Sequence, residues 1–468
     1  MNDLSASQEK LMEKREVIAE YDVKGYSITI YRKGNSIFYT AKPLFDFNQD
    51  PLLFTELASL VHKNKDRLGR GILVFDELVD TLKSICLWKI LEIDNLPIDP
   101  EVFAELFIHK LIKLDNIIFF FFDDLVDEIY MDQMHAPLYV DHQEFGRCNT
   151  NFILEEEEIK SLITRIKLEH PISISSKKPS LKIEFQTKTF HMRISMDFPP
   201  ISPNGPTFNI RKLKRNPLRV LDLVKLKSFP TQIAAYLVEA INERKNITII
   251  GEPSSGKTTL ANAIDLYTPK YWRKVAIEDA IESISQSSLG YKQLSIQVDS
   301  FESNKSLHTK TTEILKLLHR SPDWIYLGEI QSREHTQAMF EALNAGLRGI
   351  QTAHADSVEK IFRRWKNLHN ISETDFMSLD IIIIMKRVLS ENTFIREISE
   401  IYEVNKNSEV NFNDSNFLIK IYNSEFNENK IIENIKSNSV LRNKIMEIEE
   451  RNNAFLQELN GKEIEANM

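Results

Sequence analysis

A chain of 468 residues is longer than one compact core normally supports, so two large domains and a tail are expected. Its 59 Lys and Arg against 68 Asp and Glu give a net charge of −9, which argues against a body built mainly to coat nucleic acid. The two cysteines, Cys86 and Cys148, stand far apart without a C-x-x-C or Cys/His cluster, so they indicate neither a disulfide framework nor a zinc site and fit a reducing cytosol.

The N-terminus is polar and charged through Tyr21, with no secretory signal, and the most apolar runs are too short to span a bilayer. Alternation in Tyr26–Tyr31, a Lys33-Gly-Asn turn and Ser36–Tyr39 predict strands between Val17 and Pro43. Leu52 to Asp127 is richer in helical spacing, as in Phe54–Val61 and Val102–Leu111, whereas Asn116–Phe122 reads as a buried strand. Glu155–Ile166 predicts a helix with an acidic first turn, and Leu181–Phe185 with His191–Met196 a strand pair. These elements make residues 1–203 an α+β domain. Pro199, Pro200, Pro203, Gly205 and Pro206 break regular structure, which places an interdomain linker at 204–225. A second domain is expected over 226–404, with Asp380–Met385 as another buried strand. The remainder, 405–468, is rich in Asn, Glu, Lys and Ser, yet Phe417–Tyr422 predicts a strand and the periodic Val440–Ile448 a helix.

The second domain carries the most informative stretch. The apolar Asn246–Ile250 runs into Gly251-Glu252-Pro253-Ser254-Ser255-Gly256-Lys257-Thr258, the pattern G-x-x-x-x-G-K-T, and the helix-forming Thr259–Ile264 follows. Glycines let backbone N–H groups turn around a polyanion, Lys257 reaches β- and γ-phosphates, and the Thr258 hydroxyl suits Mg²⁺. The helix N-terminus adds its positive end. Residues 251–259 are therefore the candidate ATP-binding residues, within a P-loop NTPase of α/β fold.

Phosphoryl hydrolysis further needs groups that orient water and sense the γ-phosphate, usually at the carboxyl ends of neighbouring strands. Three such ends occur. Asp323–Ile330 ends in Gly328-Glu329, where many phosphate-loop ATPases carry an Asp before the Glu. Lys274–Glu282 presents Glu278 and Asp279, and Gly349–Ser357 presents His354. Singly, the acidic pair reads as a solvated turn and His354 as a surface histidine. In order behind a phosphate loop they read as a site, with Thr258, Glu278 and Glu329 as the candidate magnesium ligands.

This ordered set resembles the secretion ATPases of the type II/type IV secretion, type IV pilus and archaellum motor superfamily. The resemblance makes Lys257 and Thr258 the Walker A residues, places Glu278 and Asp279 in the Asp box, Glu329 in Walker B and His354 in the His box. Phe145–Thr150, Gly205–Arg211 and Pro217–Val224 look like its archaeal branch, and the long helix Arg333–Leu347 falls where the family has one. It implies a RecA-like C-terminal ATPase domain, a homohexameric ring, ATP and Mg²⁺ between the two domains, and arginine fingers, for which Arg147, Arg193 and Arg211 occupy matching positions. It also implies a cytoplasmic motor working on a polytopic membrane platform protein, with pilin-like subunits handled indirectly and no direct nucleic-acid contact. Two departures bear on turnover: Asn204 and Gln331 stand where the archaeal pattern has arginines, which shifts the expected charge partner to Arg333 or Arg320. The alternatives are a type IV secretion ATPase for DNA or protein transfer and a nucleotide-gated scaffold with little turnover.

Overall fold

The structure, a computed structural model, describes residues 15–64, 66, 74–93, 95–169, 174–176, 178–213, 218–279, 281–298, 309–390, 393–406, 417–424 and 428–429. The chain forms two compact units, Met1–Arg215 and Asn216–Met468.

In the first unit, β1 (Glu16–Val23), β2 (Tyr26–Lys33) and β3 (Ser36–Pro43) form an antiparallel meander. Helices α1 (Pro51–Lys63), α2 (Phe75–Ile90), α3 (Pro100–Leu111) and α4 (Ile118–Phe122) follow. The Asp99 carboxylate starts α3 by accepting from the N–H of Glu101 at 2.9 Å and of Val102 at 3.3 Å. The remaining elements are β4 (Val126–Met131), β5 (Tyr139–His142), β6 (Gly146–Asn149), α5 (Glu156–Glu169), β7 (Ser180–Gln186), β8 (His191–Asp197) and β9 (Thr207–Lys212). They complete one sheet of order β1-β2-β3-β6-β5-β4-β9-β8-β7.

Two expectations need correction here. The Asn116–Phe122 run is a helical turn, not a strand. Phe119 and Phe120 lie in an aromatic core with Tyr26, Tyr39 and Phe152, so the segment is apolar all round and periodicity cannot tell helix from strand. The boundary between the units, Arg215 to Asn216, falls within the expected linker 204–225, but the first part of that linker is strand: the proline-rich 199–206 stretch joins two strands of one sheet, since Asp197 in β8 sits opposite Thr207 in β9. Prolines end strands at a hairpin connection as readily as at a domain boundary.

The second unit begins with α6 (Val220–Lys225) and α7 (Thr231–Asn242), then β10 (Ile247–Gly251), α8 (Lys257–Asp265), β11 (Arg273–Glu278) and β12 (Lys292–Gln297). Helix α9 (Lys310–Leu315), β13 (Trp324–Glu329), α10 (Arg333–Asn344), β14 (Gly349–His354), α11 (Val358–Asn367), β15 (Ile381–Ser390), β16 (Thr393–Val404), β17 (Leu418–Asn423) and β18 (Glu428–Asn429) follow. The sheet order is β12-β11-β13-β14-β10-β15-β16-β17-β18, parallel from β12 through β15 and antiparallel beyond.

Strand β10 is buried along its whole length because both faces of the parallel sheet are covered. Ile247 and Ile249 pack with Leu237, Leu260 and Ile264 on one side, while Ile250 packs with Met339, Phe340, Phe362 and Trp365 on the other. The strand expected in the tail forms as β17, but it is part of this sheet: Tyr402 in β16 sits opposite Lys420. The sheet therefore continues past residue 404. The helix expected at Val440–Ile448 lies outside the described residues.

Candidate functional site

Four parallel strands, β10, β11, β13 and β14, deliver the motif residues to the carboxyl edge of one sheet, where a doubly covered sheet opens to ligands. Strand β10 ends at Gly251 against the backbone of β15. A Cβ there would lie 2.4 Å from the Met385 carbonyl oxygen and 2.6 Å from Ser255 Oγ, so only glycine fits. The turn then uses positive φ at Ser254 (+59°) and Gly256 (+94°), and α8 starts directly at Lys257. The Ser255 hydroxyl oxygen is buried without a hydrogen-bond partner, an unsatisfied polar atom inside a glycine-shaped cradle.

Lys257, itself buried, folds its ammonium over this loop. It donates to the Gly251 carbonyl at 3.0 Å, to the Glu252 carbonyl at 2.7 Å and to His354 Nδ1 at 3.1 Å. An ammonium has no acceptor, so Nδ1 is the accepting nitrogen and Nε2 of the neutral imidazole bears the proton. That N–H meets the Glu329 carboxylate. Burial alone would raise the pKa of Glu329, but His354, the Gln331 side chain and the Lys257 charge hold it down at about 2, so the carboxyl is ionised at neutral pH.

Glu329 is aimed by an irregularity. Leu327 pairs with Gln351 but Glu329 with Thr352, so Gly328 is an extra residue in β13 and the strand bulges there. Glu278 of β11 fills the space over Gly328, where an added Cβ would stand 3.0 Å from Glu278 Cγ. This accounts for glycine where many phosphate-loop ATPases carry aspartate. The Glu278 carboxylate accepts from the N–H of Glu282 at 3.1 Å and of Ser283 at 2.9 Å and from the Ser283 hydroxyl, and burial pushes its pKa up to about 7. Both of its oxygens are thus engaged by the following turn. Asp279 pairs instead with Lys310, at 3.4 Å.

The structure brings Gly251, Glu252, Lys257, His354 and Glu329 into one chain of contacts, with Thr258 and Thr259 in the first turn of α8 beside them. The suggested substitute cations do not join it: Arg320 is held by Glu313, and Arg333 lies exposed at the start of α10. Gln331, noted as a lost cation, instead helps hold the Glu329 pKa down.

Arg147, Arg193 and Arg211 belong to the first unit, where strand register puts them on a single row of the sheet. Arg147 sits opposite Asp141, Asp141 opposite Glu128, Glu128 opposite Arg211, Arg211 opposite Arg193 and Arg193 opposite Glu184. Directly opposed residues share a face, so Arg211 and Arg193 are neighbours and Arg147 lies on the same face three strands away, beyond Asp141 and Glu128. Arg147 pairs with Asp141 through Nε at 2.8 Å and Nη2 at 3.0 Å and lies over the Tyr130 and Tyr139 rings. Its side chain is nonetheless 58% exposed, which leaves it reachable.

Sequence reasoning missed two cations. Arg396 of β16 donates through Nε to the Ser254 carbonyl at 3.0 Å, and Lys310 of α9 donates to the Glu329 carbonyl at 2.7 Å. Neither lies in a recognisable motif; both reach the site only because of strand pairing and helix placement.

A parallel α/β sheet that feeds a glycine turn into a helix beside a Lys–His–Glu contact defines a protein built around a phosphate-shaped loop. The family model described as "Type II/IV secretion system protein" matches residues 110–459, and the chain belongs to that family. Among curated relatives, an uncharacterized protein of Methanocaldococcus jannaschii is 23% identical over 403 residues, covering 80% of this chain and 52% of that protein. A conjugal transfer protein TrbB of Rhizobium radiobacter is 28% identical over 202 residues, covering 40% of this chain and 58% of its own. The chain spans about half the length of the first curated relatives it matches, 52% and 55%. Among solved structures, the ATPase DotB of Legionella pneumophila is similar over 61% of this chain and 78% of its own, at 20% identity and a TM-score of 0.43.

Proposed function

We propose that this chain is an ATP-hydrolysing motor subunit of a type II or type IV pilus-like secretion or filament-assembly machine. The observation that carries the reading is the unbroken contact from the glycine-turned loop through Lys257 and His354 to an ionised Glu329. Family membership supports the secretion context, and the archaeal relative agrees with the resemblance of its linker segment.

The cradle fits a nucleotide's phosphates: Gly251 admits no side chain, Gly256 turns the chain, and the buried Ser255 hydroxyl awaits a partner. Thr258 and Glu329 would hold Mg²⁺, which would supply positive charge against the charge that develops in phosphoryl transfer. Glu278 serves this account less directly than a ligand would, because its oxygens are already taken by the turn at 282–283; we assign it the support of the Gly328 bulge. Lys257 neutralises the transferring group. Glu329, ionised at neutral pH, orients the attacking water, and its partner His354 holds that carboxylate in place and accepts a hydrogen bond from Lys257. The products are ADP and inorganic phosphate.

In this reading Arg147, Arg193 and Arg211 supply positive charge to the nucleotide's phosphates, since guanidiniums match spread-out phosphate charge. Copies of the chain assemble as a homohexameric ring. The ring acts on a polytopic membrane platform protein that handles pilin-like subunits, and it sits in the cytoplasm at the membrane's inner face. Among the described residues no helix is long and apolar enough to cross a membrane. A second reading, export of DNA or protein through a type IV channel, is favoured by the conjugal-transfer name of the Rhizobium relative. Equilibrium binding of a fluorescent ATP analogue tests the common core of both: the wild type binds with Mg²⁺ and Lys257→Ala weakens binding by about tenfold or more. Equal affinity in the two proteins would remove the loop from the account.

A further inference from the structure

Lys310 is a lysine where an ordinary structure would not place one. Its side chain is 1% exposed. It stands at the start of α9, just past the Thr309 N-cap, whose hydroxyl accepts from Thr312 N–H at 3.3 Å. Burying an ammonium is costly unless every donor is used, so its partners state what it is there for. They are the backbone carbonyl of Glu329 at 2.7 Å and the Asp279 carboxylate at 3.4 Å.

Both partners lie where the sheet stops supplying its own bonds. The β11–β13 ladder ends at the Ile277–Leu327 pair, so Glu329 lies beyond the last β11 partner. On the other side β13 bulges at Gly328. A bulge re-aims the residue after it but leaves its peptide weakly held. Ile330 N–H is tied to the Thr352 carbonyl at 2.8 Å; the Glu329 carbonyl is tied to Lys310. Asp279, the residue after Glu278, is thereby joined to the same point. One ammonium therefore closes the ends of β11 and β13 and the start of α9 around the peptide that bears the water-orienting carboxylate.

We propose that Lys310 is a positioning residue for Glu329: its buried ammonium pins the carbonyl of the bulged peptide to Asp279, and this keeps the Glu329 carboxylate on His354 Nε2–H. The inference rests on the ATPase reading for its catalytic consequence and on geometry alone for its structural one. Lys310 touches neither the loop nor Lys257, so nucleotide binding is predicted to survive its loss while turnover does not.

The experiment uses the full chain with three substitutions. Lys310→Met removes donor and charge, Lys310→Gln restores a neutral donor to the carbonyl, and Lys310→Met with Asp279→Asn removes both charges so that no carboxylate is stranded. For each, kcat and the dissociation constant for Mg-ATP are measured. The ¹⁵N resonances of the His354 ring, assigned by their loss in His354→Gln, report its hydrogen bond to Glu329. The expected result is a kcat lowered about tenfold or more in Lys310→Met with affinity within about threefold of wild type. Lys310→Gln recovers part of that loss, the double variant recovers thermal stability but not kcat, and the His354 ring signals shift in both methionine variants. A Lys310→Met protein with wild-type kcat and unshifted His354 signals overturns the proposal while leaving the ATPase reading intact. If the wild type itself does not turn over, that reading fails, and the His354 signals still decide: unshifted signals overturn the positioning role, shifted ones support it. A kcat and affinity that fall together in all three variants assign Lys310 to scaffolding only and also overturn it.

Discussion

Gly328 is the departure from the common ATPase pattern that the structure explains most concretely, and Gly328→Ala measures the explanation. The new Cβ would stand 3.0 Å from Glu278 Cγ and 3.4 Å from Glu278 Cβ, against an ordinary carbon–carbon contact of about 3.5–4.0 Å. Glu278 cannot swing away cheaply, because two backbone N–H groups and the Ser283 hydroxyl hold its carboxylate and its residue is buried. Overpacking of this kind costs about 1–3 kcal/mol. At roughly 2–4 °C per kcal/mol for a unit of this size, the melting temperature should fall by roughly 2–12 °C. Gly328→Asp should fall further, since it adds a second carboxylate beside a buried one. Differential scanning calorimetry of Gly328→Ala, Glu278→Ala and the double variant is the assay. If the contact is the cause, the double variant recovers at least about 1 kcal/mol relative to the sum of the singles. Additive losses, or a Gly328→Ala protein melting with the wild type, would refute the claim that Glu278 dictates glycine here.

The pH dependence of Glu278→Gln should be distinctive. Burial raises the folded-state pKa of Glu278 from 4.5 to about 7, so the folded protein prefers its protonated form and that preference is lost as pH rises between those values. The glutamine variant is therefore expected to gain on the wild type with rising pH, by at most about 3 kcal/mol above pH 7 and by nothing near pH 4, in melting experiments at both ends. Asp265→Asn should be strongly destabilising, by about 3–5 kcal/mol, because it strands the buried Lys274. In the native protein Asp265 takes the Lys274 ammonium at 2.5 Å and the Trp324 indole N–H at 3.0 Å. A melting temperature within about 2 °C of wild type would show that Gln286, which accepts from the same ammonium at 2.6 Å, suffices.

The glycine-turned loop and the strands that carry Glu278, Glu329 and His354 were legible because each is a short apolar run ending in a chemically specific residue, and β10, β11, β13 and β14 form where those runs lie. The same logic failed at Asn116–Phe122, where being buried on every side erases periodicity and the run folds as α4. It also stopped regular structure too early at the prolines before β9, because a proline turn inside a sheet and one between domains are alike in sequence. The arginine row was legible one residue at a time but not as a row: it needs the register of β4 through β9, which no local pattern encodes. Lys310 and Arg396 were invisible for the same reason, since their partners are a backbone carbonyl 19 residues away and one 142 residues away. The family resemblance supplied roles for the motif residues; the bulge at Gly328, and so the reason that Glu329 points to His354, depends on the pairing of β13 with β14, which no local pattern encodes.

The central claim is that the Lys257–His354–Glu329 contact belongs to an ATP-hydrolysing site. Steady-state hydrolysis of Mg-ATP by the full chain, measured across protein concentration beside Glu329→Gln, addresses it most directly. The account predicts turnover that rises with protein concentration as copies assemble, falls by about a hundredfold or more in Glu329→Gln, and does so while nucleotide binding persists. A wild type that binds ATP yet hydrolyses it no faster than Glu329→Gln, at every concentration and with lipid present, would contradict the account and leave a nucleotide-gated scaffold in its place.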